Sequence, residues 1–324
     1  MKFFVLSSLD PYLNLAVEQY LFSTTTEDVF MLWQNAPTVV VGKNQNVFAE
    51  INFDYLKENG IKVARRITGG GAVYHDLGNV NYTFISVMRN SGIDFEYFTA
   101  PIIEALRSLG VSAELSGRND LIVNGKKISG NAQYSHSGRV LHHGTLLFDS
   151  DISVLSSVLN VDEEKIKTKA VRSVSSRVTN LKEYLNRDCN VQEFISLIAD
   201  YIRKRYAPTE EKLIINEEIL RLAERNSTSE WLYPERKLLN EYSLIKKRRY
   251  SFGTVCIYIK MHGKKAEDVK VCGDFFGIAP IEELEREILS CYPDGVDNIE
   301  MPVEKYIFGM NKNNLVELLK GDSI

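Results

Sequence analysis

The densest concentration of potential chemistry lies at residues 65–76, Arg-Arg-Ile-Thr-Gly-Gly-Gly-Ala-Val-Tyr-His-Asp. Three consecutive glycines, Gly69, Gly70 and Gly71, leave backbone N–H groups unobstructed, and concave turns of this kind bind anions. Arg65 and Arg66 just before them add permanent positive charge in a geometry suited to phosphate or carboxylate. The spacing is neither G-x-G-x-x-G nor G-x-x-x-x-G-K-[ST], so no standard dinucleotide site or P-loop is indicated. A tight connection between strands is the plain alternative. The paired arginines and the His75-Asp76 that follows favour an anion site.

A second cluster runs from Gly117-Arg118-Asn119-Asp120 through Asn124-Gly125-Lys126-Lys127-Ile128-Ser129-Gly130. Asn-Gly between two strand-like runs predicts a hairpin with a primed turn. Side chains alternate along a strand, so one of Lys126 and Lys127 turns inward, where it can neutralise charge developing on a phosphate or acyl oxygen. Asp120 is a candidate ligand for a hydrated Mg²⁺, which takes one or two carboxylates plus phosphate oxygens. A solvated hairpin tip with ordinary surface lysines is the alternative. The third cluster is His142-His143-Gly144-Thr145; four of the five histidines (His75, His136, His142, His143) fall within 75–143. Adjacent histidines on a strand point to opposite faces, which argues against one shared zinc ion.

These groups need a scaffold. Asp10-Pro11 opens a helix whose apolar face is Leu13, Ala16, Val17, Tyr20 and Leu21. Strands are expected at 29–33, 38–41, 61–65, 81–88 and 140–148, with a hairpin over 120–134 and helices at 53–59 and 101–109. The hairpin favours a mixed or antiparallel sheet over a doubly wound parallel one. Beyond 149, helices are expected near 151–159, 191–206 and 212–225, with a loop at 173–179. Residues 226–234 read as a linker. A smaller α+β unit follows, with strands at 250–260 and 268–275 and helices at 281–291 and 312–320. The run Lys246-Lys247-Arg248-Arg249 is expected to be a solvated turn.

Composition limits the function classes. The 324 residues carry 39 Lys+Arg against 43 Asp+Glu, a net charge of −4, with 44% apolar and 25% charged residues. That chain can build a sizeable core, and its acidic balance argues against a general nucleic-acid binder. Cys189, Cys256, Cys272 and Cys291 show no C-x-x-C pairing, so neither a zinc module nor a disulfide framework is suggested. The N-terminal region lacks a secretory pattern, and the longest uncharged stretch, 29–42, contains Gln34, Asn35 and Pro37. The expectation is a soluble cytoplasmic protein with reduced thiols, acting neither on nucleic acid nor in a membrane.

Together the clusters resemble the lipoate–protein ligase A family. The matching pieces are Asp10-Pro-Tyr-Leu-Asn-Leu-Ala-Val-Glu18, the Arg65–Asp76 motif, Gly117-Arg-Asn-Asp120, Lys127-Ile-Ser-Gly130, His142-His-Gly-Thr145 and Arg177-Val-Thr-Asn-Leu181, in the expected order over about 185 residues. The resemblance implies an α+β fold: a mixed/antiparallel sheet flanked by helices, shared with biotin ligases, over 1–230, and a small α+β accessory domain over 235–324. It implies that lipoate and Mg-ATP condense to lipoyl-AMP and pyrophosphate. The lipoyl group then passes to a lysine of an acceptor domain, in the glycine-cleavage H protein or the E2 component of a 2-oxoacid dehydrogenase. Carried over by position, Lys127 and Arg66 are catalytic. Thr68, Gly69, Gly70, Gly71, Ala72, Val73, Tyr74, His75, Asn81, Asn119, Asp120, Ser129 and Gly130 contact substrate or ATP. Glu18, His75 and Gly144 belong to the lipoate pocket, and Asp120 to Mg²⁺. A loop near 165–180 closes over the adenylate. The acyl slot is expected between the first helix and the 29–41 strands.

Two alternatives stand beside this. Octanoyl and lipoyl transferases of the same fold use a cysteine thioester, but here every cysteine lies at 189 or later, outside the matched motifs. A non-catalytic lipoate- or nucleotide-binding homologue would have no need of Arg66, Asp120 and Lys127 together. A biotin ligase would carry a Gly-Arg-Gly-Arg loop, which is missing.

Overall fold

A computed structural model describes residues 1–88, 92–160 and 177–321. Its centre is an eight-stranded mixed sheet, in the order β11-β1-β2-β6-β10-β9-β8-β7. The members are β1 (Lys2–Val5), β2 (Val29–Trp33), β6 (Asn79–Val87), β7 (Glu114–Ser116), β8 (Asp120–Val123), β9 (Lys126–His136), β10 (Arg139–Leu147) and β11 (Thr209–Glu210). β1 runs parallel to β2 and β11, and the remaining pairs are antiparallel. Beside it lies a three-stranded sheet with β3 (Thr38–Val41) between β4 (Lys62–Arg65) and β5 (Val73–His75). Strands β2 and β3, neighbours in sequence, therefore separate into different sheets, and the gap between those sheets becomes the cleft described below.

Both faces of the large sheet are covered. Helices α1 (Pro11–Thr24) and α4 (Glu217–Ser227) cover one face through Leu15, Val17 and Ile219; α2 (Phe95–Ser108) and α3 (Val191–Tyr206) cover the other through Phe98, Ile102, Phe194 and Ile198. The local signals behave as expected at two starts. Asp10 accepts from the N–H groups of Tyr12 and Leu13 ahead of Pro11, and Asn190 with Glu193 forms a capping box. The Asn124-Gly125 turn has both φ values positive (49° and 74°), as a primed hairpin turn requires.

Four expectations need correction. Helix α2 begins at Phe95, capped by Asp94, rather than at 101: burial of Phe95, Phe98 and Ile102 outweighs the N–H that Pro101 lacks. Helix α4 begins at Glu217, because Asn216 caps it and 212–216 stay extended or irregular. The linker expected at 226–234 is helical, with Ser229–Leu232 a short turn of helix and Asn226 buried. The basic run 246–249 lies in β12 (Leu244–Tyr250), not in a turn; Lys246 and Arg248 share one face of the strand, where Lys246 is buried and bonded to the Gly321 carbonyl and Arg248, more exposed, meets Glu317. The expected closing loop lies, as far as residue 176, outside the described residues.

The C-terminal part has its own sheet, β12-β13-β14, with β13 (Gly253–His262) and β14 (Lys265–Gly273), and its own core around Ile257, Phe275, Leu284 and Leu315. Helices α5 (Ile281–Cys291) and α6 (Lys312–Lys320) pack against it. It is joined to the rest by Gly70 N–H donating to the Phe275 carbonyl (3.0 Å), Gly273 N–H to the Asn44 carbonyl (2.8 Å) and Asn46 Nδ2 to the Tyr258 hydroxyl (3.0 Å).

Candidate active site

A cleft opens between the large sheet and the small β3–β5 sheet. Its floor follows from strand register. Trp33 pairs with Asn81, Asn81 with Thr145, and Gly130 with Asp120, while Gly130 N–H donates to Thr145 Oγ1 (3.1 Å). These residues make one cross-strand row from Trp33 to Asp120, with strands about 4.8 Å apart. A second row, Met31, Thr83, His143 and Ala132, lies two residues along on the same face. One end of the cleft is lined by Leu15, Trp33 and Val40, and the other by Lys127, Asn119 and Gly130. The gradient from apolar to cationic runs along the cleft between the two sheets.

Lys127 Nζ lies 2.7 Å from Asp120 Oδ1, and both side chains are about one-third exposed. Lys126, its neighbour, is exposed, so alternation turns Lys127 into the cleft as expected. A Cβ on Gly130 would sit 3.0 Å from Lys127 Nζ, so the glycine leaves room for the ammonium. The Lys127 carbonyl also accepts from Thr179 N–H (3.0 Å), tying the chain beyond 176 to this lysine.

The two arginines have different fates. Arg66 lines the cleft but spends its donors on the loop: Nε on Thr68 Oγ1 (2.9 Å), Nη1 on the Val40 carbonyl (3.0 Å), and Nη2 on the Gly69 and Gly71 carbonyls (2.7 and 2.8 Å). Burial lowers its pKa to about 10, so it stays charged at neutral pH. Gly70, at φ +88°, makes the turn these contacts fix. Arg65, expected to add charge to the anion site, is instead turned away and buried. It donates to the carbonyls of Gly42, Lys43, Gln45 and Leu232 and to Glu235 Oε2 at 2.8 Å. Strand alternation alone separates the pair.

Behind the cleft runs a buried chain of hydrogen bonds. Trp33 Nε1 donates to Thr83 Oγ1 (2.9 Å), which donates to Glu18 Oε1 (2.8 Å); His143 Nδ1 meets the same oxygen (2.9 Å), and Thr68 Oγ1 meets His143 Nε2 (2.8 Å). Glu18 and Thr68 thus stand behind the lining. Of the other expected contacts, Gly70, Gly71, Ala72, Val73, His75, Asn81, Asn119, Gly130 and Gly144 line the cleft. Tyr74 faces the core of the small sheet, Ser129 accepts from Asn131 Nδ2, and Gly69 faces a neighbouring crevice with Tyr134. Gly144 has a packing reason: a Cβ there would lie 2.2 Å from Asn131 Oδ1 and 2.6 Å from the Tyr82 hydroxyl, which bond to each other beneath it.

The sequence reading missed Phe276. Its buried ring lines the cleft from the C-terminal part, 5.4 Å from Phe95, with the Arg118 guanidinium 4.4 Å above it. No local signal marks it, because its role depends on how the two parts meet. Asn131, directly after the Lys-Ile-Ser-Gly motif and inside the expected hairpin, was findable by extending that motif one residue.

His142 and His143 do face opposite ways. His142 stacks on Phe98 (centroids 5.1 Å apart) and bonds Gln133, on the side away from Glu18. Among the described residues no three His, Cys, Asp or Glu side chains are grouped to hold a metal ion. Asp120 offers a single carboxylate at the cationic end, a donor set that fits Mg²⁺ carried mainly by phosphates. All four thiols have pKa values raised, chiefly by burial, and none lines the cleft. Among the described residues no helix is long and apolar enough to cross a membrane.

Comparison with known proteins agrees with this geometry. Residues 10–203 match the lipoyl protein ligase A/B catalytic domain, and residues 240–319 match the bacterial lipoate protein ligase C-terminus. The chain is similar to lipoate-protein ligase LplJ of Bacillus subtilis (strain 168), at 38% identity over 96% of this chain and 97% of that protein. Two solved structures are also similar. P. falciparum LipL1 in complex with lipoate has a TM-score of 0.73 at 25% identity, covering 94% of this chain and 92% of that one. Lipoate-protein ligase A bound with ATP has a TM-score of 0.59 at 26% identity, covering 72% and 98%.

Proposed function

The chain belongs to the lipoate–protein ligase family, and on that premise we propose that the cleft joins lipoate to ATP and hands the acyl group to a protein lysine. The observation that carries the reading is the gradient along the cleft, from Leu15, Trp33 and Val40 at one end to Lys127, paired with Asp120, at the other. An acyl chain ending in a carboxylate matches that gradient, and the carboxylate then meets the nucleotide at the cationic end.

In the first step a carboxylate oxygen attacks the α-phosphorus of ATP, the bond to the bridging oxygen breaks, and pyrophosphate leaves. Two anions must approach, so the site has to cancel repulsion and align the attack. Lys127 supplies a mobile ammonium beside the reacting oxygens. Arg66 holds the Gly69–Gly71 backbone in place through the carbonyls it clamps, presenting that loop to the nucleotide. Ala72, Val73 and His75 continue the same wall. Mg²⁺, when bound with ATP, screens phosphate charge, and Asp120 is the carboxylate placed to hold it.

In the second step the neutral amine of the acceptor lysine attacks the acyl carbon, AMP departs with the electron pair, and the nitrogen releases a proton to water to leave the amide. The same cations stabilise its negative charge. The mixed anhydride is already activated, so no enzyme thioester is needed; thiols that stay off the cleft are in keeping with this and disfavour the transferase alternative. The acceptor is a lipoyl domain, of the H protein or of a 2-oxoacid dehydrogenase E2 component. Residues 1–230 would form the catalytic body and 235–324 the accessory unit, which contributes Phe276. Four unpaired cysteines suit a cytoplasmic setting, where ATP is available. The test is lipoate-dependent exchange of labelled pyrophosphate into ATP. A folded protein showing none would remove the ligase reading.

A further inference from the structure

Resting on that reading, we infer that Asn81 and His75 select the far end of the acyl group, donating to the ring sulfurs of lipoate and so preferring it to a plain fatty acyl chain.

Most buried polar groups around the cleft are satisfied within the protein. Trp33 Nε1, Thr83, Glu18 Oε1, His143 and Thr68 are consumed by the hydrogen-bond chain already described. Thr145 Oγ1 is taken by Gly130 N–H. Two polar atoms of lining residues stand out: Asn81 Nδ2 and His75 Nε2 are buried and have no partner, in residues only 2% and 3% exposed. Asn81 Oδ1 already accepts from Asn79 Nδ2 (3.0 Å), so its amide nitrogen is the free end.

The imidazole is a donor too. Asn35 Oδ1 accepts from Asn14 Nδ2 (3.0 Å), which makes Asn35 Nδ2 the donor to His75 Nδ1 (3.1 Å). His75 Nδ1 is therefore the acceptor and Nε2 carries the hydrogen. Burial, with Arg66 nearby, lowers the His75 pKa to about 3, so the ring stays neutral.

Both donors lie toward the apolar end. Asn81 pairs with Trp33 across the strands, and the His75 ring meets Trp33 edge-on at 6.1 Å. Lys127 lies beside Gly130, three strands from Trp33 along the row, about 14 Å away at the usual strand spacing. A carboxylate held at Lys127 puts the other end of the acyl group among Trp33, Asn81 and His75. A disulfide in a five-membered ring is apolar enough for that surrounding, yet its sulfurs accept weak hydrogen bonds. A methyl-terminated chain would leave both donors unpaired, which is unfavourable in a dry pocket.

The experiment measures kcat/KM for acid-dependent ATP–pyrophosphate exchange with lipoate, octanoate and 5-cyclopentylpentanoate, the carbon analogue of lipoate. The wild-type protein is expected to favour lipoate over the carbon analogue by about tenfold, the scale of a weak buried hydrogen bond. Asn81→Leu, which leaves His75 as the one remaining donor, should cut that ratio to about threefold, mainly by lowering the lipoate value. Equal use of both acids by the wild type, which needs no substitution and no refolding, would overturn the inference. So would an Asn81→Leu protein that keeps the wild-type ratio. Absence of exchange with every acid would instead remove the ligase reading on which the inference rests.

Discussion

Arg65→Met removes a guanidinium that the sequence places in the anion-binding motif and the structure places in a buried bracket. The side chain makes six hydrogen bonds, five of them to the carbonyls of Gly42, Lys43, Gln45 and Leu232, with Leu232 accepting twice. The sixth reaches Glu235 Oε2 in an ion pair whose side chains are 3% and 8% exposed. Burial alone raises the Glu235 pKa and lowers that of Arg65, so each partner is held charged mainly by the other. Methionine fills similar volume but leaves Glu235 and four carbonyls without their donor. Breaking a buried pair from one side costs about 3–5 kcal/mol. At ~2–4 °C per kcal/mol that is a melting temperature roughly 6–20 °C lower. Differential scanning fluorimetry with urea titration reads this, and pyrophosphate exchange at 15 °C reads the chemistry. Protein that remains folded should keep kcat within about threefold, because Arg65 does not line the cleft. The double variant Arg65→Met/Glu235→Met should regain at least half of the lost stability, since replacing both charges leaves no unpaired ion. A variant as stable as wild type but with lost activity would refute the reasoning and return Arg65 to the site.

Three other perturbations separate stability from chemistry. Lys127→Ala should lower kcat/KM for exchange by about 10²–10³, the scale of losing one preorganised charge-stabilising donor. Its ion pair with Asp120, about one-third exposed, should change unfolding free energy by less than about 1 kcal/mol; near-normal exchange would contradict the assigned role. Gly144→Ala forces a methyl against the Tyr82–Asn131 contact and should destabilise by about 1–3 kcal/mol in urea unfolding, because both neighbours are buried on the sheet. Finally, His75 and His142 have pKa values depressed by burial, His75 to about 3. Their contribution is fully present above pH 6.5, where neither state is protonated, and is lost as pH falls toward the folded-state values because only the unfolded chain takes up protons. Each should cost about 1 kcal/mol per pH unit below 6.5. Urea midpoints from pH 7 to 5 should fall less steeply in His142→Phe, and parallel slopes would contradict this.

Much of the site was legible because its residues are consecutive and their backbone chemistry is local. The glycine run, the Asn-Gly hairpin and the Lys-Ile-Ser-Gly strand each carry their own geometric consequence: a positive-φ turn, a primed turn and a strand whose alternate side chains face one way. Helix starts with a strong cap were legible too, as at Asp10 and Asn190. The reading failed where packing overrode local preference. The polar run at 226–234 looked like a linker by composition, but Thr228 caps a helical turn there, and the Trp231 indole and Leu232 carbonyl engage Arg65. The basic run at 246–249 looked solvated, yet it is hydrogen-bonded as the outer strand of a sheet.

The sequence by itself determined the chemical inventory: a glycine run behind two arginines, a hairpin with two lysines and a nearby carboxylate, and cysteines outside every motif. It also determined most elements, because caps, turns and alternation act over a few residues. The tertiary structure alone decided which of two adjacent arginines serves the loop and which braces the fold, since that depends on what packs against each face of β4. It alone brought Trp33, Asn81, Thr145, Gly130 and Asp120 into one row, because register joins positions 33 to 145 only when three strands pair. And it alone put Phe276 on the cleft wall, through a meeting of two cores that no local pattern encodes.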